Sequence, residues 1–211
     1  MPKMNSKVIP VKTVERLVLY KRLLRDLLGK GEQCLYSHQL AELAKNTPAQ
    51  VRRDLMTIGY AGSPRKGYGV QELIDRISEV LEETREHRIA LVGIGNLGRA
   101  ILSYFNYKHQ GLAIVAAFDS DPSRTDRVIT GCRCFHTNEF AAKVKELDIS
   151  IGIITVPADR AQGVADMMVA AGVKGVLNFA PVPLSLPEHI FTDRIDITMA
   201  LEKIAYFASR K

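Results

Sequence analysis

Residues 90–100 read ALVGIGNLGRA. The run 89–93 (IALVG) is short, apolar and β-rich, residues 96–105 suit a helix, and Gly93, Gly95 and Gly98 fall between them in a G-x-G-x-x-G frame. In a strand-to-helix turn each glycine has its own task. The first allows the tight turn, the second removes side-chain bulk beside a pyrophosphate, and the third lets helix and strand close up. The N-terminus of the helix then offers unpaired N–H groups to phosphate oxygens, which makes Gly93, Ile94, Gly95, Asn96, Leu97 and Gly98 candidate cofactor-binding residues. The frame alone is common, so its surroundings decide its meaning.

Downstream, strands and helices alternate. GLAIVAAFD (111–119) reads as a second strand, GCRCF as a third, ISIGIITV as a fourth and KGVLNF as a fifth, with helices over 137–147 and 158–171. That rhythm predicts an α/β fold: a Rossmann-type, doubly wound and mostly parallel sheet with helices on both faces. Asp119 closes the second strand, 26 residues past Gly93, where a gap of roughly 20 is usual. An acid there accepts from ribose hydroxyls and repels a 2′-phosphate, favouring NAD(H) over NADP(H); the nearby Arg124 and Arg127 act against this. The stretches TVPA (155–158) and NFAP (178–181) follow the fourth and fifth strands, where ligands bind in such sheets, so Thr155, Val156, Pro157, Asn178, Phe179 and Ala180 join the candidate set. Their apolar character suits the uncharged dihydronicotinamide better than the cationic oxidised ring, because a buried unpaired charge is costly. Residues 196–209, DITMALEKIAYFAS, read as an amphipathic C-terminal helix able to pack on another subunit.

The first third of the chain has a different character. The formal net charge is +6, yet residues 1–70 hold 13 Lys and Arg against 5 Asp and Glu, while the remainder holds 16 against 18. A charge step of this kind joins a domain with a polyanionic partner to one without. After a short extended IPVKTV, Thr13 is expected to cap a helix that runs to Leu28 with Val14, Leu17, Val18, Leu24 and Leu28 on its apolar side, stopped by Gly29 and Gly31. SHQLAELAKNTPAQVRRDLMTIG (37–59) then divides into two short helices, the first capped by Ser37 and the second by Thr47 with Pro48 at its first position. This is the skeleton of a helix-turn-helix. At 100° per residue Val51, Leu55 and Ile58 face inward, while Ala49, Arg53 and Met56 face out, flanked by Gln50, Arg52 and Thr57. Arg and Gln suit base edges in a major groove; Arg53 is the first candidate for a base contact and Arg52 for a phosphate. GYAGSPRKGYGV (59–70) follows, with the composition of a tight hairpin around Arg65 and Lys66, a basic wing. The candidate DNA-facing set is Ser37, Thr47, Ala49, Gln50, Arg52, Arg53, Arg65, Lys66 and Tyr68. A connecting helix is expected over 73–86, carrying Leu73, Ile77, Val80 and Leu81. The domains are then 1–84, a winged helix with connecting helix, and 85–211, for nucleotide binding and dimerisation.

Cys34, Cys132 and Cys134 do not make the usual zinc spacings, so no metal is expected and the thiols read as those of a reduced cytoplasmic protein. No N-terminal apolar region marks export, and no apolar run reaches the length of a membrane span.

TPAQVRRDL, the GYGV after the glycine-rich wing, ALVGIGNLGRAI, AAFDSDP, IITVPADRAQGVAD and AGVKGVLNFAPV together resemble the Rex family of redox-sensing transcriptional repressors, over nearly the whole chain. The resemblance implies a homodimer with an N-terminal winged helix, a Rossmann domain that binds NADH in competition with NAD+, and a C-terminal helix exchanged between subunits. It implies binding to palindromic operator DNA when NADH is scarce, and release when NADH is abundant. By the same resemblance Tyr104 lies near the nicotinamide, Asp119 at the adenosine ribose and Arg53 in the recognition helix, and Arg22 and Asp196 form a switch contact between subunits in one state only. Two positions depart from the family pattern: Pro64-Arg65 stands where the wing has Arg-Gly, and Ile197 where an aromatic residue can occur.

Two other readings stay open on the residues. A dehydrogenase would need a substrate domain and an acid–base pair; beyond the basic head there is no room for the first, and His38, His87, His109, His136 and His189 have no recognisable partner for the second. A CoA-binding module would also use a glycine loop, but would not explain Asp119.

Overall fold

The computed structural model describes residues 9–63, 65–81, 86–105 and 111–210. The chain divides into two compact units, Met1–Arg85 and Glu86–Lys211. Pro64, residues 82–85 of the expected connecting helix and His109 lie outside the described residues.

The first unit opens with α1 (Val11–Gly29). Pro10 starts it: the ring holds φ at −59°, and its carbonyl accepts the N–H of Thr13 at 2.8 Å and of Val14 at 3.1 Å. IPVKTV is therefore helical from Val11 rather than extended. Thr13 is not the cap but sits one turn inside, on the buried face with Leu17, Tyr20 and Leu24. Val18, expected on that face, is 41% exposed, because the buried stripe follows 13, 17, 20 and 24. The helix stops where the glycines predict, with Gly31 at φ 89° donating to the carbonyl of Leu28.

After β1 (Cys34–Leu35) comes α2 (Ser37–Leu43). Its cap is Tyr36, not Ser37: the Tyr36 N–H donates to Gln39 Oε1 at 2.7 Å. Helix α3 (Pro48–Thr57) begins as read, with Thr47 Oγ1 accepting the N–H of Gln50 at 3.2 Å and proline at the first position. Val51, Leu55 and Ile58 are buried with Leu40 and Ala41 of α2. A wing follows, in which Ser63 and Gly67 exchange two backbone hydrogen bonds of 2.8 Å around the tip, and β2 (Tyr68–Gly69) pairs antiparallel with β1. Gly67 is required there: its φ is 72°, and a Cβ would collide with the carbonyl of Leu35. Helix α4 (Val70–Val80) begins earlier and ends sooner than expected. Val70, Leu73, Ile74 and Ile77 share one core with Leu17 and Leu24, so α4 is a packing helix of this unit, with Val80 and Leu81 only partly buried.

The second unit runs β3 (His87–Val92), α5 (Asn96–Phe105), β4 (Leu112–Asp119), β5 (Arg127–Ile129), β6 (Cys132–His136), α6 (Phe140–Glu146), β7 (Ile149–Ile154), α7 (Ala158–Ala170), β8 (Gly175–Asn178), β9 (Phe191–Arg194) and α8 (Ile197–Ala208). The sheet order is β5-β6-β4-β3-β7-β8-β9, and all neighbours are parallel except β5 and β6. The chain leaves β3 toward β4 and β6, then returns to place β7 on the other side of β3. That reversal is the topological switch point at which ligands bind in open α/β sheets.

Strand alternation sorts the core onto two faces. Ala90, Val92, Ala116 and Phe118 pack with Phe140 and Val144 of α6 and with Ala161, Ala165 and Met168 of α7. Ile89, Leu91, Ala117, Cys134 and Ile153 pack with Leu102 of α5. The five expected strands are present, and the sheet has two more at its edges. The segment 137–147 opens with a short 3₁₀ turn, Thr137–Glu139, before α6. No described side chain of α8 is buried, and among the described residues no helix is long and apolar enough to cross a membrane.

Candidate nucleotide cavity and nucleic-acid interface

A cavity of about 920 Å³ opens at the carboxyl ends of β3, β4 and β7. This is near the top of the roughly 300–1,000 Å³ typical of small-molecule sites. The glycine turn forms one wall. Gly93 has φ 103° and donates to the carbonyl of Phe118 at 2.8 Å; a Cβ on it would meet the carbonyl oxygen of Thr155 at 2.8 Å. A Cβ on Gly98 would collide with the carbonyl oxygen of Gly93, so strand and helix close only around glycine. Gly95 differs: a Cβ there meets nothing within 4 Å, and the residue lines the cavity. Packing explains Gly93 and Gly98, whereas no protein atom within 4 Å of a Cβ at position 95 requires glycine there.

Asp119 is buried at the end of β4, and its carboxylate braces this wall. Oδ2 accepts the Ile94 N–H at 2.7 Å, Oδ1 accepts the Asp121 N–H at 2.9 Å, and Arg124 Nη1 lies 3.3 Å from Oδ2. Thr155 ties β7 to the turn, donating its hydroxyl to the carbonyls of Gly93 at 2.8 Å and Val92 at 3.0 Å.

Of the expected cofactor residues, Gly93, Gly95, Asn96, Leu97, Asp119, Thr155, Val156, Pro157 and Phe179 line the cavity. Five do not, each for a structural reason. The Ile94 side chain is fully buried in the core, and only its N–H takes part, through Asp119. Gly98 is buried in the joint between strand and helix. Tyr104 is 64% exposed and packs edge-on against Phe105, away from the cavity lining. Asn178 and Ala180 are buried: the Asn178 amide donates to the Val182 carbonyl at 2.8 Å and its Oδ1 accepts the Ala180 N–H at 2.9 Å, fixing the bend that presents Phe179 and Pro181. The sequence reading missed Asp121, Arg124, Arg160, Gly163, Val164 and Met167. The last four follow i, i+3, i+4, i+7 spacing, so a helical wheel drawn from TVPA would have found them.

On the first unit, Ala49, Arg52, Arg53, Met56 and Thr57 form a continuous outward strip of α3. Arg53 is exposed, and Met56 is 72% exposed beside it. Arg52 donates to Ser37 Oγ at 3.0 Å, which places both on the α2–α3 surface. Gln50 is directed elsewhere: it is half-buried and its amide donates to Asp54 Oδ1 at 2.9 Å. Thr47 is engaged as the helix cap. Arg65 and Lys66 are exposed at the wing tip, where the Tyr36 hydroxyl donates to the Arg65 carbonyl at 2.8 Å. Tyr68 is only 9% exposed and packs beside Tyr60, so its ring belongs to the core rather than to a DNA-facing surface.

A buried polar cluster under α3 went unread. Asp54, 1% exposed, accepts two 2.7 Å hydrogen bonds from Arg16 and one of 3.0 Å from the Tyr20 hydroxyl, to which Asn46 donates at 3.1 Å. Burial pushes the Asp54 carboxyl up, but the bonds from Arg16, Gln50 and Tyr20 outweigh it and hold the group below its usual range. The signal was present: Asp54 lies three residues after Val51 and four before Ile58, on the inward face.

Arg22 is exposed on α1, and the Asp196 carboxylate accepts the Met199 N–H at 2.9 Å, capping α8. Cys132 and Cys134 are buried, and burial pushes both thiols up to about 11, so they are protonated and unreactive at neutral pH. Among the described residues no group of three or more His, Cys, Asp or Glu could hold a metal ion.

Residues 84–182 match the family described as CoA binding domain, and residues 8–55 match Putative DNA-binding protein N-terminus. The redox-sensing transcriptional repressor Rex of Syntrophobacter fumaroxidans is 40% identical over 202 residues, covering 95% of this chain and 96% of that one. Its counterpart from Listeria welshimeri is 38% identical, covering 94% and 93%. Among solved structures, RSP, a Rex-family repressor, in complex with β-NAD+ and operator DNA matches with a TM-score of 0.90 at 28% identity, covering 96% and 93%. The complex of RSP with β-NADH matches with a TM-score of 0.84 at 28% identity, covering 96% and 95%.

Proposed function

The chain belongs to the Rex family of redox-sensing transcriptional repressors, and on that premise we propose that it binds operator DNA through its first unit and is released from it when NADH occupies the cavity of its second. The role is regulatory rather than catalytic. The observation that carries the nucleotide half is Gly95, a glycine that no protein contact demands, on a wall braced by Asp119. The cavity runs from Asp119, at the adenosine end, past the N-terminus of α5, whose N–H groups suit a pyrophosphate, to the apolar floor of Val156, Pro157, Phe179 and Pro181. That floor favours the uncharged dihydronicotinamide over the cationic ring of NAD+. The DNA half rests on Arg53 and Arg52 on the outer strip of α3, flanked by the basic wing tip.

The protein acts as a homodimer, with α8 packed on a second copy and two α3 helices reading a palindrome whose half-sites lie about one helical turn, or a multiple of it, apart. No chemistry on the nucleotide is needed. A ligand that prefers the arrangement unfit for DNA opposes DNA by its difference in affinity for the two arrangements.

A gel-shift titration on a palindromic site with NADH and NAD+ in parallel tests the reading. NADH is expected to release the DNA at concentrations where NAD+ does not; an operator complex indifferent to saturating NADH overturns it. Because the second unit matches a family described by CoA binding, calorimetry with NADH, NAD+ and CoA belongs beside that titration, with tight binding of CoA alone counting against the dinucleotide.

A further inference from the structure

Three charged side chains meet at the adenosine end of the cavity. Arg124 Nη1 lies 3.3 Å from Asp119 Oδ2, and its Nε lies 3.3 Å from Asp121 Oδ2. All three residues line the cavity. Asp119 is nearly buried, with 8% of its side chain exposed, whereas Asp121 and Arg124 retain 41% and 39%. We propose that Arg124 is a latent 2′-phosphate receptor, and that Asp121 is the residue that keeps it from accepting NADP(H). This rests on the reading of the cavity as a dinucleotide site.

A free guanidinium in that position would receive a phosphate, because its planar fork of N–H donors matches phosphate oxygens. Here the fork is engaged on both edges, and two carboxylates outnumber one cation, so the trio presents net negative charge to a dianionic group. Arg127, the other cation acting on Asp121, does not line the cavity. Asp119 cannot be the adjustable member, since it also holds the glycine turn through the Ile94 N–H. Asp121 can be. Its second oxygen accepts the Ser123 N–H at 2.9 Å, a bond that an asparagine carbonyl reproduces, so Asp121→Asn removes the charge and retains the turn.

Calorimetry on the full chain with NADH and NADPH reads the effect. The wild-type chain binds NADH and discriminates against NADPH. In D121N the NADPH-to-NADH affinity ratio rises about tenfold, the size expected when one unit charge is removed beside a partly solvated dianion. Adding Arg124→Ala to D121N returns the ratio toward the wild-type value. Asp121→Ser, which also keeps an acceptor for Ser123, is the second variant should D121N fold poorly. A ratio unchanged in both D121N and D121S overturns the proposal, as does Arg124→Ala alone raising the ratio as far as D121N. Wild-type protein that binds neither nucleotide overturns the dinucleotide reading and this inference with it, so NADH binding by the wild type separates the two failures.

Discussion

Removing the carboxylate of Asp54 strands Arg16, whose guanidinium makes both of its 2.7 Å bonds to that one group, and leaves the Tyr20 hydroxyl without its acceptor. Breaking a buried pair from one side costs about 3–5 kcal/mol; the lower end applies here because 27% of the Arg16 side chain still reaches water. Asp54→Ala is therefore expected to lower the stability of the winged unit by about 3 kcal/mol, and to weaken DNA binding because α3 loses its anchor while Arg53 is untouched. The pH dependence has a definite sign. The folded Asp54 titrates below its unfolded value of about 3.9, so its contribution is complete above that value and is lost as pH falls through the folded one. Urea midpoints by circular dichroism should differ strongly between wild type and Asp54→Asn at pH 7, with the difference shrinking on acidification below pH 4; a constant difference would show that the charge is not what stabilises. The cysteines give a second residue-level expectation. A disulfide reagent at neutral pH should titrate one thiol per chain quickly, the exposed Cys34, and reach Cys132 and Cys134 only on unfolding.

The turn between β3 and α5 separates glycines demanded by the fold, Gly93 and Gly98, from Gly95, which only the proposed ligand would demand. Gly98→Ala drives a Cβ into the Gly93 carbonyl, so helix and strand must part, and overpacking of this kind costs about 1–3 kcal/mol or more. Gly95→Ala meets no protein atom, so its melting temperature should stay at the wild-type value while NADH affinity falls at least about tenfold, a methyl now standing where the backbone must approach a pyrophosphate. If both substitutions lower stability equally, Gly95 has a structural task and the ligand argument fails. The packing of this turn was legible in the sequence because the spacing puts glycine at 93 and 98, where a Cβ would meet neighbouring backbone. Edge strands were harder to read. All four residues of β9, Phe191–Arg194, are exposed, so they carry no apolar alternation, and they join the sheet through backbone pairing with β8 alone. Strand β5 has three residues, two of them exposed, and is held by a turn in which Thr130 and Gly131 both have positive φ. A Thr-Gly pair announces such a turn less clearly than Asn-Gly does. Ring exposure was not legible either: helix phase leaves Tyr104 64% exposed, while strand pairing buries Tyr68 to 9%.

At the scale of the whole molecule, α8 buries none of its described side chains. Ile197, Met199, Leu201, Ile204, Tyr206 and Phe207 are each 50–67% exposed, more apolar surface than a monomer usually leaves in water. In the proposed dimer this surface is covered by the second copy. The double variant Leu201→Glu/Ile204→Glu is accordingly expected to sediment as a monomer and to lose the avidity that two linked half-site contacts confer, about 100-fold or more in operator affinity. A variant that stays dimeric places the interface elsewhere. In the proposed mechanism dimerisation also sets what NADH can do, because two recognition helices fit two half-sites in only one of the arrangements the pair can adopt. Linkage then makes the opposition quantitative. If saturating NADH weakens operator binding by some factor, saturating operator must weaken NADH binding by the same factor, whatever structural route connects the two units. Couplings between distinct sites commonly amount to about 5- to 150-fold. Operator affinity should be measured by fluorescence anisotropy with and without NADH, and NADH affinity by calorimetry with and without operator, at one salt concentration, since phosphate contacts make the DNA term steeply salt-dependent. Equal factors in the two directions are expected. A large factor in one direction and none in the other is forbidden by linkage for any route, direct competition included, and would mean that the two titrations did not follow the same species at equilibrium; a factor of one in both directions overturns the antagonism.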